Sequence, residues 1–581
     1  GATIHEMNEP GRRMGEPREG RALRFFVLVV VLLGVVLPIA MGLVETAMAA
    51  FGSLPAIGSV GPTLDPWRMV ADIPAIGKSI GLSLWTGVTA TLLSLVISIG
   101  AAAALYDSTS LRKLRERLTP ILATPHAALA IGMAFVLAPS GWIARILAMA
   151  LGWKTPPDIA TVHDPLGLTL ILGLVIKEVP FLLLMLVAAI GQGGISQHIR
   201  VARSLGYGTF SLWLKIVVPL VYPLIRLPVF AVLAFSLSVV DMAIILGPSN
   251  PPTLSVLGTR LFFAPDTHQI LPASAIALLQ TMLVLALLAT CLLVERMIAR
   301  FGRAWLGKGT RGPVFANGAA ITVSLCAALV LISALSLLSL LVWSFAWRWS
   351  FPQLLPESWS LFAWMQPATG WSGAALTTFV IASASTTVSV GLAILWLEGE
   401  DCGHFNRAHW AEVLIYLPLL LPQLAFLYGL NVAALRLGLS GGLPVVIWAQ
   451  SLFVFPYIMI ALSDPWRALD PRLTKAAAAL GAGQMRRLFA VKLPCLLGPV
   501  LTAAAVGFAV SVAQYLPTLF LGAGRVATLT TEAVTLSSGS DRRIAGVFAF
   551  MQALLPFMAY LVALGIPAVL YRNRRGLQEA G

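Results

Sequence analysis

The chain has 581 residues, of which 58% are hydrophobic and only 11% charged, against roughly 25% charged in water-soluble domains. With a mean hydropathy of +0.87, it cannot be a soluble globule. A formal net charge of +14 would suit a nucleic-acid binder, but the basic residues are dispersed along loops beside apolar runs instead of forming one stripe, so nucleic acid is not an expected partner.

A helix needs roughly 20 apolar residues to cross a bilayer, and its backbone groups must be satisfied inside the segment. Twelve runs are predicted to do so, near 25–46, 82–105, 119–138, 166–190, 223–246, 270–294, 317–343, 373–397, 411–435, 441–462, 499–521 and 544–570. The stretch 141–152 is too short. An all-α membrane protein is therefore expected. The first run follows the basic stretch Arg12 to Arg24 and ends near Ala47-Met48-Ala49, which resembles a secretory cleavage site. Its apolar core is longer than the ~7–15 residues of a signal peptide, so it is expected to stay as a span.

With the N-terminus inside, cytoplasmic segments hold most of the 39 Lys and Arg residues, which predicts cytoplasmic termini in a bacterial inner membrane. Cys291, Cys326, Cys402 and Cys495 share no spacing that would mark a disulfide framework or a zinc site. Gly302 to Lys308 reads G-x-x-x-x-G-K, the start of a phosphate-binding loop. The next residue is Gly309 instead of Ser or Thr, and a strand is not expected before it, so the match is read as coincidence.

Landmarks recur in order in two halves. Ser98-Ile99-Gly100 with Ala102 matches Ser389-Val390-Gly391 with Ala393; Pro125-His126 with Gly132 matches Pro422-Gln423 with Gly429. Pro180, Gly206 and Pro219 match Pro456, Gly481 and Pro494. Phe235 and Asp241 pair with Phe508 and Gln514 by equal gaps, Gly247 with Thr253-Leu254 pairs with Gly522 and Thr528-Leu529, and Ala273, Ala277 and Gln280 pair with Ala545, Ala549 and Gln552. Six spans per half make a parallel repeat. The expected organisation is a cytoplasmic segment at 1–24, a first transmembrane domain at 25–297, a basic linker at 298–314, a second transmembrane domain at 315–571 and a tail at 572–581, with an insertion in the outer loop near 141–165.

The loop after the fourth span of each half is the strongest functional signal. Arg200, Ala202, Gly206, Ile216 and Pro219 in the first half correspond in spacing to Lys475, Ala476, Ala477, Gly481, Val491 and Pro494 in the second. This resembles the EAA loop, E-A-A-x3-G-x9-I-x2-P, of binding-protein-dependent ABC importer permeases, here with both permease domains fused in one chain. Arg200 and Lys475 stand where the family pattern has Glu.

The resemblance implies a type I importer fold and short coupling helices that dock on two copies of a separate cytoplasmic ATPase. It also implies a periplasmic substrate-binding protein, ATP and magnesium on the ATPase, and neither cofactor nor catalysis on this chain. Among such permeases the fused chain and the Gly-x5-Thr-Leu motif resemble those for thiamine and ferric iron, which makes thiamine the first expected cargo, with polyamines and ferric iron next.

Polar residues inside spans are candidates for the substrate path, because they are expensive in hydrocarbon unless they face a cavity or a partner. Asp241 and Gln514 are expected to face each other across the interface between halves, or else to make interhelical hydrogen bonds. His126 and Gln423 each follow a proline and either line the path or are buried and satisfied. Lys177 and Glu178 are neighbours on a helix and cannot pair only with each other; they are placed in the path or near its outer mouth. Lys215, Arg203, Arg486, Arg487 and Lys492 are ascribed to membrane orientation, and the outer Trp cluster from Trp343 to Trp371 to interfacial anchoring. The rival architecture is an ion-gradient carrier of the major facilitator type, which shares the twelve helices but not the Ala-Gly-Pro loops.

Overall fold

The computed structural model describes residues 18–106, 121–191, 194–312, 316–402, 409–439 and 441–572. The basic stretch 106–118 lies outside them apart from Tyr106. Among the described residues, ten helices are long and apolar enough to cross a membrane, and two bent helix pairs bring the number to twelve.

In the first half, α1 (Arg18–Val31) continues through a π-helical turn into α2 (Leu37–Ala50), and α3 (Ile76–Leu105) is the second span. The third is α4 (His126–Leu137), followed by α5 (Trp142–Leu151) in the expected insertion, and the fourth is α6 (Leu168–Ile190). A short α7 (Ile195–Ser204) leads to α8 (Val218–Ser238), the short helices α9 (Asp241–Leu246) and α10 (Leu254–Phe262), and the long α11 (Ile270–Gly307).

The second half repeats the order. α12 (Ala316–Phe345) is joined by the strands β1 (Ala346–Arg348) and β2 (Ser358–Trp359) to α13 (Trp371–Cys402). Then come α14 (His409–Leu420), α15 (Leu424–Arg436), α16 (Leu443–Ala468), the short α17 (Pro471–Ala479), α18 (Leu497–Ala513), α19 (Leu516–Gly522), α20 (Leu529–Ser537) and α21 (Arg542–Leu570). Gly302 to Gly307 belong to α11, so the glycines of the phosphate-loop look-alike are helical and form no cradle.

Four of the expected spans are broken, not continuous. The third stops at Thr124-Pro125, and its counterpart bends by 98° between α14 and α15, where Pro125 and Pro422 remove a backbone donor. The fifth breaks after Ser238 without a proline, and the eleventh after Ala513, where Pro517 in the first turn of α19 has no N–H to continue the helix. There the carbonyls released from the helices take side-chain partners: Ser255 Oγ donates to Val239 O (2.8 Å), Gln280 Nε2 to Leu237 O (3.0 Å), and Thr530 Oγ1 to Val512 O. Irregular backbone at membrane depth is tolerated only on such terms.

The halves exchange their first spans. α2 packs on α15 of the second half, and α12 packs on α4 of the first. Both crossings use the repeated glycine of the third span, since a Cβ on Gly429 would meet the backbone of Gly42, and one on Gly132 the backbone of Ser336. Small residues allow this close approach where helices associate by van der Waals contact. Ser339 Oγ donates to Gly132 O (3.2 Å), Trp448 Nε1 to Gly34 O (3.0 Å), and Arg436 pairs with Glu45 (2.5 Å). Each sequence repeat is therefore completed in space by a helix of the other.

At the opposite end from α7 and α17, the Trp cluster is packed instead of simply anchoring at an interface. Trp343 and Trp349 lie 4.6 Å apart, the Arg145 guanidinium sits 4.9 Å from the Trp349 ring, and Arg542 sits 5.3 Å from Trp343. Arg145 also donates to Ser350 O (2.8 Å) and Gln353 O (2.6 Å), which ties the inserted α5 to the hairpin of the second half. Cation–π contacts of this kind contribute about 0.5–2 kcal/mol each.

Replacing Gly132 or Gly429 by Leu is expected to lower stability by about 1–3 kcal/mol, the usual penalty of overpacking. Thermal unfolding of the purified chain in detergent checks this: a clear drop in Tm is expected for both, whereas Gly565→Leu, where a Cβ meets nothing within 4 Å, leaves Tm unchanged.

Candidate coupling loops and translocation pathway

α7 and α17 follow the fourth span of parallel halves and so emerge at the same end of the bundle. Both stop in the same way. Gly206 and Gly481 each adopt φ of 81°, in the left-handed region that L side chains avoid. Around them, Gly206 N donates to Arg203 O (2.9 Å) and Tyr207 N to Ala202 O (3.2 Å), while Gly481 N donates to Ala478 O (2.9 Å) and Ala482 N to Ala477 O (3.0 Å). These are two Schellman caps. The glycine at this place in the motif is thus required to end the helix. Within this chain a Cβ on Gly481 meets nothing within 4 Å, so the positive φ, not internal packing, calls for glycine there.

Beyond each cap the chain re-enters through a π-helical turn, Trp213–Val217 in the first half and Leu488–Lys492 in the second. The cause is local: Pro219 and Pro494 follow two residues after these turns and have no N–H to give, and the widened turn closes instead through Val218 N to Trp213 O and Leu493 N to Leu488 O. Ile216 and Val491 lie within the turns and are partly buried. Ala202 is buried, whereas Arg200, Lys475 and Ala476 are exposed and Ala477 is partly so. Exposed apolar side chains surround both caps: Val201, Leu205 and Phe210 at one, Leu473, Leu480, Met485 and Phe489 at the other, with Leu480 at 89%.

Lys177 sits midway along α6, 5% exposed. Its Nζ donates to Ile121 O (2.9 Å), Leu122 O (3.2 Å) and Thr124 O (2.5 Å). Those are carbonyls left by the break at Pro125, and an ammonium at the negative end of a helix is the favoured partner for them. Lys177, expected in the path or near its outer mouth, caps a broken span. In the second half Phe453 holds the matching place three residues before Pro456 and stacks on Phe426 at 5.8 Å.

Glu178 and Asp241 are 7% and 8% exposed. Asp241 Oδ1 accepts from Met242 N (2.9 Å). Asp241 and Glu178 both lie near Lys177, Glu178 near Tyr457, and Asp241 near Tyr515. Among the described residues the Glu178 carboxylate takes no hydrogen bond. The ring of His126 lies 4.8 Å from Phe235. His126, Gln423, Tyr457, Gln514 and Tyr515 are all partly accessible despite their depth in spans.

One expected pairing is wrong by two residues. Val239 (φ −60°, ψ 136°) and Val240 (φ −113°, ψ −54°) match Gln514 (φ −69°, ψ 118°) and Tyr515 (φ −102°, ψ −64°). Gln514 is therefore the counterpart of Val239, and Asp241 that of Leu516. The equal gaps from Phe235 and Phe508 mislead because they count from residues that are not themselves equivalent.

The sequence did not single out Tyr457, Tyr515 or Gln450. Gln450 is buried, donates from Nε2 to Thr518 Oγ1 (2.8 Å) and accepts from Ser511 Oγ, joining α16 to α18 and α19. Tyr457 had a usable signal, since it follows Pro456 where Phe181 follows Pro180.

Residues 406–573 match the family described as "Binding-protein-dependent transport system inner membrane component". Over 518 residues, 89% of this chain and 93% of the relative, the sequence is 32% identical to the inner membrane ABC transporter permease protein YnjC of Escherichia coli (strain K12). That span covers both halves. With its helical bundle and repeated EAA-type spacing, the chain belongs to the multi-pass inner-membrane permeases of binding-protein-dependent ABC transport systems.

Proposed function

We propose that this chain is the substrate pathway of an ATP-driven importer, worked by two copies of a separate cytoplasmic ATPase and fed by a periplasmic binding protein. The observation that carries this reading is the pair of Schellman-ended helices, each with a π-turn behind it and exposed apolar side chains around it, at one end of the bundle. Such patches mark protein contact sites. Both termini and both coupling loops then face the cytoplasm, ATP and magnesium are held by the ATPase, and this chain carries no catalytic group. Closure of the ATPase dimer would draw α7 and α17 together and shift the spans between inward-open and outward-open states.

The cargo read from the pathway is a small cation, thiamine first, with a polyamine or ferric iron as the alternatives. The ammonium of Lys177 is taken up by three carbonyls, which leaves the carboxyl groups of Glu178 and Asp241 for a passing ligand. Tyr457 and Tyr515 beside them suit an organic cation, which aromatic faces attract. Substrate would be held weakly here, and selection made outside the membrane. Family membership favours this reading over an ion-gradient carrier, and uptake without the ATPase separates the two.

Two outcomes test the proposal in proteoliposomes holding the chain, its ATPase and its binding protein. Gly206→Val with Gly481→Val forces side chains into the left-handed region at about 1–2 kcal/mol each and is expected to abolish uptake while membrane insertion is retained; normal uptake contradicts the coupling role. Glu178→Gln with Asp241→Asn is expected to reduce uptake of a cationic cargo about tenfold, equivalent to about 1.4 kcal/mol, with ATP hydrolysis stimulated by the loaded binding protein retained. Unchanged uptake contradicts the assignment of the path.

A further inference from the structure

Basic residues at the cytoplasmic ends of spans ordinarily need only face headgroups and water. Two lysines in the π-turns of the coupling loops do something else. Lys215 and Lys492 are 4% and 6% exposed, and burying an ammonium costs several kcal/mol unless its partners are well placed. Membrane orientation gives no reason for that burial, so the earlier ascription of both to orientation is incomplete.

Their partners are specific and differ between the halves. Lys215 Nζ donates to Thr310 O (2.6 Å) and Thr310 Oγ1 (2.8 Å) and lies 4.5 Å from the centre of the Trp305 ring. Trp305 and Thr310 belong to the segment that joins the two halves. The same segment is fastened to the loop a second time, since Gly208 N donates to Arg311 O (3.2 Å). Lys492 Nζ instead donates to Glu398 Oε2 (2.5 Å) and Asp401 Oδ2 (2.7 Å), at the end of α13. Asp401 Oδ2 also accepts from Trp466 Nε1 of α16 (3.0 Å), and next to it Arg467 pairs with Glu400 (3.0 Å) and Glu412 (2.6 Å).

Each lysine sits between a coupling helix and the span behind it, where any displacement of the loop must pass. The supports lead to different places: the first to the linker between the halves, the second to α13 and to α16, which carries Tyr457. We infer that Lys215 and Lys492 are positioning residues of the two coupling loops, fixing one elbow to the linker and the other to the acidic end of α13, so that one ATPase stroke reaches the spans through two unlike attachments. This rests on the coupling role proposed above.

The test measures ATP hydrolysed per cargo molecule imported by the reconstituted complex, a ratio that loss of folded protein alone does not move. Lys215→Met is one variant. For the second half, Lys492→Met is combined with Glu398→Gln and Asp401→Asn, because Lys492→Met alone would strand the buried carboxylate of Glu398 and could prevent folding. In each, stimulated ATP hydrolysis is expected to persist while the ratio rises about tenfold, within the usual range of coupling free energies. Lys215→Arg, which can still donate to Thr310, is expected to restore most of it. An unchanged ratio, or ATP hydrolysis and uptake falling in proportion, overturns the inference. If the wild-type complex shows no ATP-dependent uptake, the coupling role itself fails, and the inference with it.

Discussion

In hydrocarbon a backbone N–H or C=O without a partner costs several kcal/mol, and that constraint shapes every irregular feature of this bundle. Three of the four broken spans break where another element supplies the missing hydrogen bonds. Lys177 closes the carbonyls before Pro125, and Ser255 and Gln280 close those after Ser238. The short helices beyond the breaks are held by the same logic, with Leu254 N donating to Ser83 Oγ (2.8 Å) and Leu529 N to Thr378 Oγ1 (2.9 Å).

The exchange of first spans has a mechanical consequence. Since α2 lies on α15 and α12 on α4, neither half can tilt without carrying a helix of the other. Small residues at Gly42, Gly132 and Gly429 set how close these helices sit, and packed interfaces of this kind shift between discrete arrangements more readily than they deform. The hairpin and its arginine-tryptophan contacts brace one end, while α7 and α17 occupy the other, so under the proposed coupling movement applied there would be directed into the middle of the bundle.

Much of this could be read from residues alone. Apolar length located the spans, since each needs about 20 apolar residues whatever its neighbours, and the Gly and Pro landmarks of the coupling loops marked backbone events that only those residues allow. What could not be read depends on partners distant in sequence. Lys177 looks like a pathway residue until the carbonyls of Ile121, Leu122 and Thr124 are seen around it, and Lys492 looks like an orientation signal until Glu398 and Asp401 are found at its tip. The break after Ser238 carries no proline, and Pro517 beyond Ala513 has no counterpart in the first half, so hydropathy ran straight through both, and with them went the register that pairs Gln514 with Val239.

The central claim is that α7 and α17 are levers seated in a separate ATPase, and a photo-crosslinker placed at Leu205 or at Leu480 in the assembled transporter tests it most directly. The account predicts capture of the ATPase from each position alone, and capture of two copies by a chain labelled at both. Efficient uptake by a transporter in which neither position touches an ATPase would contradict it.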